Sequence, residues 1–335
     1  MRRLHLARLL VRGAVVPAAV LGVVVLASLL VGAGSVTPGR ALAAVLGGGD
    51  AEAAFAVAEL RVPRTVVGAV VGLALGVAGA VLQAAARNPL AEPGLLGVSA
   101  GATAGVVLTL VLGGSLATLG PAAAVAGALV GCAAAFAVAR LRGVGDDPVR
   151  LVLAGAAISG LLGSLVSVVL LVDQRTADEV RFWAVGGVAG RSLERVGEVA
   201  PALLLGGLLV ALAARPLAAL ALGDDVARAL GHSPRLARSA AVAAVALLVG
   251  SATAVAGPLA FVGLVVPFAA RALVGPDLRR VLLPAVLLGP SVVVLADVLS
   301  RLVVRPYEMP LGVLTALLGA PVLVLVVRRR RLPAL

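Results

Sequence analysis

Long runs of residues without a charge limit what this chain can fold into. Eight such runs stand out, and they end at charged or proline-rich breaks. The runs cover residues 13–39, 65–86, 93–139, 151–172, 199–214, 239–270, 281–296 and 309–327. A bilayer core is crossed by about 20 apolar residues in a helix, so each run is long enough, or nearly so, for one crossing. The pattern predicts an all-α membrane protein.

Two of the runs are too long for a single crossing. The run 93–139 contains the break GGSLATLGP at residues 113–121, and the run 239–270 is interrupted by Gly257 and Pro258. Proline removes a helical hydrogen bond and clashes with the preceding turn. Dividing both runs gives about ten transmembrane helices. With 335 residues, little chain remains for a soluble domain, and we predict one polytopic domain over residues 1–335.

The distribution of arginine predicts the orientation. The chain has 28 basic residues and no lysine. An alternating ten-span topology that starts inside places 19 arginines and only six acids on the cytoplasmic side. By the positive-inside rule, both termini are expected in the cytoplasm, with an N-terminal arm at residues 1–12. Residues 13–39 are expected to be a retained first span rather than a cleaved signal peptide. Trp183 and Tyr307 then fall in external segments, where their rings are expected at the headgroup level.

Composition also excludes several classes of function. A mean hydropathy of +1.14 and basic residues scattered between apolar runs disfavour nucleic-acid binding. The absence of lysine excludes a Walker A nucleotide site in this chain. His5, His232 and Cys132 form no cluster with metal-ligand spacing, so we expect no metal site, no bound cofactor and no histidine-based catalysis. Cys132 is expected to be a packing residue.

Small residues in the spans indicate close helix packing. Gly68, Gly72 and Gly76 repeat every four residues in the second span, and Gly101 and Gly105 do so in the third. Such spacing presents a bare backbone face to a neighbouring helix.

A polar, proline-marked break joins the second and third spans. It contains Arg87, Asn88, Pro89, Glu92 and Pro93 within seven positions. Asn88 is suited to capping, and either proline can open a helical turn. Because the connection is short, we expect the two spans to be antiparallel neighbours at the cytoplasmic face.

The longest interior loop, residues 217–238, is predicted to contain a short helix. Residues 224–230 place two acids near the positive end of such a helix, and Gly231 is a typical stop.

Near the end of the ninth span, Asp297 lies four residues before Arg301, which predicts a local ion pair. The alternative for Asp297 is a proton or cation site.

Seven blocks of sequence, in order, resemble motifs of one family. RVPRTVVGAVVGLALGVAGAVLQAAARNPLAEPGLLGVSAGA at residues 61–102 is similar to the signature of the FecCD or BtuC-type permeases, which belong to ABC importers for iron-siderophores, haem and cobalamin. The other blocks are LVLAGAAIS, FWAVGGVAG, LGDDVARALG, AGPLAFVGLVVPFAARALVGPD, ADVLSR and EMPLGVLTALLGAP. Phe268 stands where the family usually has histidine.

The resemblance implies a fold, partners and site residues. The expected fold is that of a BtuC-like type II importer permease in the cytoplasmic membrane, without enzymatic activity of its own. Two separate ATP-binding subunits would use ATP and Mg, a second permease copy or a related chain would complete the pathway, and an external binding protein would deliver a ferric chelate. Haem and cobalamin are the alternatives for the cargo. The alternative classes of function are a proton-coupled secondary transporter and a membrane enzyme.

Three groups of residues receive roles from this resemblance. The motif arginines of the outer side would receive carboxylates of the binding protein, and they are Arg61, Arg64 and Arg301. The coupling helix, which docks on the ATPase, would comprise Leu222, Gly223, Asp224, Asp225, Ala227, Leu230 and Gly231. The cytoplasmic mouth would be shaped by Arg87, Asn88, Pro89, Glu92 and Pro93.

Overall fold

The computed structural model describes residues 11–140, 148–304 and 307–328. Regular structure in these ranges is helical throughout. Most of the predicted arm 1–12 lies outside the described residues, as do Arg142, Asp146, Asp147 and the last arginines.

Fourteen α-helices follow one another in the described chain. They are α1 (Val16–Leu30), α2 (Pro38–Val45), α3 (Ala51–Phe55), α4 (Val62–Ala86), α5 (Val98–Val111), α6 (Gly120–Arg140), α7 (Pro148–Val172), α8 (Gln174–Ala184), α9 (Leu193–Leu220), α10 (Asp224–Ala229), α11 (Pro234–Ala256), α12 (Val262–Val274), α13 (Leu278–Val303) and α14 (Leu311–Arg328). Short π-helical turns precede α1 and α4, and a 3-10 turn, Pro93–Leu96, precedes α5.

Seven helical segments of the described chain are long and apolar enough to cross a membrane. They contain α1, α4, α6, α7, α9, α11 and α13. Three shorter apolar helices, α5, α12 and α14, lie where the remaining spans were predicted. The two predicted breaks are confirmed, since the chain leaves the helical conformation between α5 and α6 and between α11 and α12. The number of crossings and the orientation stay predictions.

Two helices form the centre of the bundle. Nearly every residue of the apolar stretches of α4 and α11 is buried, and these helices pack against each other. Helices α12 and α13 also pack on α4, while α6 and α9 pack on α11. Cys132 is buried between α6 and α11, where its thiol lies near the carbonyl of Val242, which confirms its packing role.

Glycines permit the closest helix crossings. A Cβ on Gly72 would clash with the backbone of Gly289 in α13, and one on Gly101 would clash with Gly127 in α6. These contacts confirm that the predicted glycine faces pack against neighbouring helices. Gly79, which lies outside the predicted pattern, makes a further close approach to Gly263.

The predicted pairing of the second and third spans is wrong. Helix α4 packs mainly on α11, α12 and α13, whereas α5 packs mainly on α6 and α7. The segment between them contains the 3-10 turn, and Pro93 packs closely against Gly263 at the start of α12. The chain is therefore led away from α4 before α5 begins.

Two other predictions need correction. Trp183 is not exposed at the headgroup level; it is 2% exposed, and its indole N–H donates to the carbonyl of Ala254. Tyr307, in contrast, is exposed. The interior loop is shorter than residues 217–238, because α9 continues through Pro216 to Leu220 and α11 begins at Pro234.

Candidate functional site at the two ends of the bundle

At one end of the bundle, the short helix α10 connects α9 to α11 and packs against both. As predicted, α10 begins with two acids and ends before Gly231, which has a positive φ of 80°. Gly223 precedes the helix with a φ of 112°, a conformation that strongly favours glycine. Ala227 is fully buried, so it holds α10 against the bundle instead of facing outward.

Asp224 connects α10 to the predicted mouth motif. Its carboxylate accepts hydrogen bonds from Arg238 of α11 at 2.9 and 3.0 Å and from Arg87 after α4. Burial disfavours the charged carboxylate, but the ion pairs with Arg238 and Arg87 lower the pKa of Asp224 overall. The three residues therefore join the ends of α4 and α11 to α10. No local pattern in the sequence indicates that Arg87 pairs with Asp224.

Exposed apolar side chains lie on and beside α10. Leu222, Val226 and Leu230 are 69%, 42% and 59% exposed. Val226 and Leu230 share one face of the helical turn, because the N–H of Leu230 donates to the carbonyl of Val226 at 3.0 Å, whereas Leu222 lies in the turn before Gly223. Beside them, Asp225 is paired with Arg228 at 2.7 Å and remains open to solvent. Val226 was missing from the predicted coupling residues, although the spacing itself could have identified it.

The mouth motif has a defined backbone. Arg87 ends α4 in a left-handed conformation with φ 45°, and the side chain of Asn88 accepts a hydrogen bond from the backbone N–H of Leu90 at 2.9 Å. Asn88 thus stabilises a turn, and Pro93 opens the 3-10 turn as predicted. Pro89 lies within the turn itself.

Glu92 is a partly buried carboxylate with an unsatisfied atom. Backbone N–H groups of Gly94 and Phe261 approach the carboxylate, but Oε2 is shielded from solvent and has no partner among the described residues. Burial raises the pKa of Glu92 to about 7, and the two backbone hydrogen bonds only partly oppose this.

At the other end, the three predicted docking arginines line a single cavity. It has a volume of about 310 Å³ and also includes Glu52 and Glu308. The structure therefore brings together Arg61 from the π-helical turn before α4, Arg64 from α4 and Arg301 from α13. Their exposure, however, is unequal.

Arg61 and Arg301 are engaged within the chain. Arg61 is 6% exposed and donates to the carbonyls of Leu29 and Leu30 at 2.8 and 2.9 Å. Arg301 is 2% exposed and donates to the carbonyls of Ser28 and Val31 at 3.1 and 3.2 Å. Both guanidinium groups thus satisfy carbonyls that the end of α1 leaves without helical partners.

Asp297 forms ion pairs with Arg64 and with Arg301. It pairs with Arg301, which confirms the predicted local ion pair. Arg64 donates to both oxygens of the same carboxylate at 2.7–3.0 Å and, through Nη1, to Glu308 at 2.9 Å. Both oxygens of this carboxylate accept hydrogen bonds from arginines of the chain, which favours the ion-pair interpretation of Asp297 over the proton- or cation-site alternative. Arg64, with 15% of its side chain exposed, is the most accessible of the three. Docking on a binding protein stays a prediction.

The sequence profile of the FecCD transport family matches residues 20–329. The chain belongs to the FecCD transport family. A related protein, the ferric enterobactin transport system permease protein FepD of Escherichia coli K12, is 41% identical over 304 residues, which cover 90% of this chain and 91% of FepD. The hemin transport system permease protein HmuU of Yersinia pestis is 37% identical over 82% of this chain and 83% of HmuU.

A solved structure agrees with this membership. A metal-chelate type ABC transporter in an inward-facing conformation superposes with a TM-score of 0.81 at 27% identity, covering 93% of this chain and 97% of the solved chain. Among the relatives found by sequence, the cobalamin import system permease protein BtuC of Halobacterium salinarum is 35% identical over 83% of this chain and 75% of BtuC. This FecCD-family chain is therefore the permease component of an ABC transporter, and its relatives serve different cargoes.

Proposed function

We propose that this chain is the membrane-spanning permease of an ATP-driven importer that carries a ferric siderophore across the cytoplasmic membrane. The similarity to FepD over nine-tenths of both chains supports the cargo class. Haem and cobalamin remain the alternatives, because relatives named for them are only slightly less similar. In this proposal the chain crosses the membrane ten times, both termini are cytoplasmic, and a second copy or a related permease completes the pathway.

The observation that carries the proposal is the group of exposed apolar side chains at α10. Val226 and Leu230 share one face of the helical turn, Leu222 lies in the turn before it, and Asp224 fixes α10 to the ends of α4 and α11. Exposed apolar patches of this kind mark contact surfaces for other proteins. We assign this surface to an ATP-binding subunit, which binds ATP and Mg in place of this chain. A displacement of α10 would then move two central helices together.

Substitution on this face tests the assignment. Leu222→Ser combined with Leu230→Ser is expected to abolish co-purification with the ATP-binding subunit, because the apolar contact is lost while the side chains are already exposed in the free chain. Leu46→Ser is the matched control, since Leu46 is 78% exposed in the loop between α2 and α3, away from α10. Undiminished co-purification of the double variant, or of a chain lacking residues 224–231, would refute the assignment.

The cavity at the other end is proposed to receive the external binding protein. Arg64 is the residue best placed to pair with an incoming carboxylate, because it is partly exposed and already binds the exposed Glu308. A planar guanidinium suits such paired recognition. Arg61 and Arg301 are proposed to hold the cavity in shape by their bonds to the end of α1.

A further inference from the structure

A second cavity lies at the end of the bundle that carries α10. It has a volume of about 420 Å³ and opens where α4, α9 and α12 end and α13 begins. Its lining divides into two parts. Arg87, Arg271 and Arg279 contribute guanidinium groups, whereas residues such as Ala84, Leu217 and Ala218 form an apolar wall.

Arg271 is the buried charged group of this lining. It is 5% exposed, and its Nη2 donates to Oε1 of Gln83, itself fully buried. Its Nε has no acceptor in the described ranges, and the ion pairs found there include no carboxylate for Arg271. A buried guanidinium without an anionic partner is costly, because desolvation is not repaid. A bound anion in the cavity would supply the missing charge.

The charge around the cavity is positive. Asp277 is the acidic residue of the lining, and its carboxylate is already shared by Arg279 at 3.2 Å and Arg280 at 3.8 Å. Arg87 has its own acidic partner, Asp224, which it shares with Arg238. The arginines of this region therefore outnumber the aspartates that neutralise them, and the excess charge centres on Arg271.

We propose that this cavity binds the headgroup of an anionic phospholipid, with phosphatidylglycerol as the reference ligand. The guanidinium groups of Arg271 and Arg279 would bind the phosphate, and one acyl chain would lie along the wall formed by Ala84, Leu217 and Ala218. Basic pockets between helix ends at the membrane surface are suited to such headgroups. Because the wall is apolar, a lipid fits this cavity better than free phosphate does. The proposal concerns lipid binding and goes beyond the transport function.

The test is a lipid titration of the purified, delipidated chain in detergent. Binding of phosphatidylglycerol and of phosphatidylcholine is measured by native mass spectrometry. We expect clear preference for phosphatidylglycerol and a roughly fivefold weaker affinity in Arg279→Gln, as for loss of one arginine near an anionic headgroup. Arg280→Gln is the matched control, because Arg280 is adjacent and pairs with Asp277 but does not line the cavity. It should leave the affinity within about twofold of that of the unmodified chain.

A second pair of variants tests the shape of the cavity. Ala218→Leu places a larger side chain in the apolar wall and is expected to reduce phosphatidylglycerol binding. Ala211→Leu, at an exposed position two turns earlier in the same helix and outside the cavity, should not. Arg271→Gln should give the largest loss, and if it does not fold, the Arg279 and Ala218 variants decide the matter.

Three results would overturn the proposal. The first is equal affinity for the two lipids or an equal effect of the control variants. The second is binding of inorganic phosphate that is as tight as that of phosphatidylglycerol and equally sensitive to Arg279→Gln. The third is a set of cavity variants that retain lipid binding but lose the ATP-binding subunit, which would assign the cavity to that partner.

Discussion

Replacement of Asp297 by asparagine probes the ion-pair network at the end of the bundle opposite α10. Asp297 is 2% exposed and accepts hydrogen bonds from Arg64 and Arg301. Asparagine preserves the shape of the side chain and one acceptor oxygen but removes the charge that both guanidinium groups share. Arg301, also 2% exposed, has no second carboxylate among its described ion-pair partners.

The expected cost follows from that burial. Breaking a buried ion pair by removing one partner typically costs about 3–5 kcal/mol, since an uncompensated charge remains inside. Arg301 would keep its hydrogen bonds to Ser28 and Val31, and Arg64 would keep Glu308, so we expect a value near the lower limit, about 3 kcal/mol. The free energy of unfolding is to be measured by denaturant titration of the purified chain in mixed micelles.

Two controls distinguish burial from simple loss of a salt bridge. Glu308→Gln removes the other acidic partner of Arg64, but Glu308 is 33% exposed, so we expect a cost of about 0–1 kcal/mol. Asp50→Asn repeats the same chemical change at an exposed pair with Arg40, and asparagine can still cap α3 there. If Asp297→Asn destabilised the chain no more than these controls, the reasoning about the buried network would be refuted.

Three further predictions concern packing, pH and docking. Gly72→Ala should destabilise the chain by about 1–3 kcal/mol through overpacking against α13, whereas Gly207→Ala, whose new Cβ would meet no atom within 4 Å, should be neutral or slightly stabilising in the same denaturant titration. Because the pKa of Glu92 is raised to about 7, the folded chain binds more protons than the unfolded chain between about pH 4.5 and 7. The free energy of unfolding should therefore fall by up to about 3 kcal/mol as pH rises through this window. Glu92→Gln should remove that fall, and an unchanged pH profile in the variant would contradict the burial of this carboxyl. Arg64→Gln should weaken binding of the external binding protein in surface plasmon resonance more than the control Arg40→Gln does, and equal effects would argue against Arg64 as a contact.

Much of the architecture could be predicted from local sequence. The uncharged runs located the apolar helices, and proline and glycine located the breaks at 113–121 and at Gly257, because these residues act on the local backbone. The short helix α10 was predicted from its acids and Gly231 for the same reason. The ion pair of Asp297 and Arg301 followed from their spacing on one helix.

Features that depend on distant partners were missed or misjudged. Arg61 and Arg301 were predicted to be docking residues, but their hydrogen bonds are with the end of α1. That segment is more than 30 residues from Arg61 and more than 250 residues from Arg301 in sequence. Trp183 resembled an interfacial anchor, yet α11 covers it. The pairing of Arg87 with Asp224 likewise depends on how α4 and α10 meet in space. Residue type and spacing carry no information about such contacts.

Transport by reconstituted vesicles is the most direct test of the central claim. The chain is to be reconstituted with its companion permease and ATP-binding subunits, and uptake of a radiolabelled ferric siderophore presented by the binding protein is to be measured. We predict uptake that requires both the ATP-binding subunits and ATP, and that is lost in the Leu222→Ser and Leu230→Ser double variant. Equal uptake by vesicles that lack the ATP-binding subunits, driven by a proton gradient alone, would contradict the account.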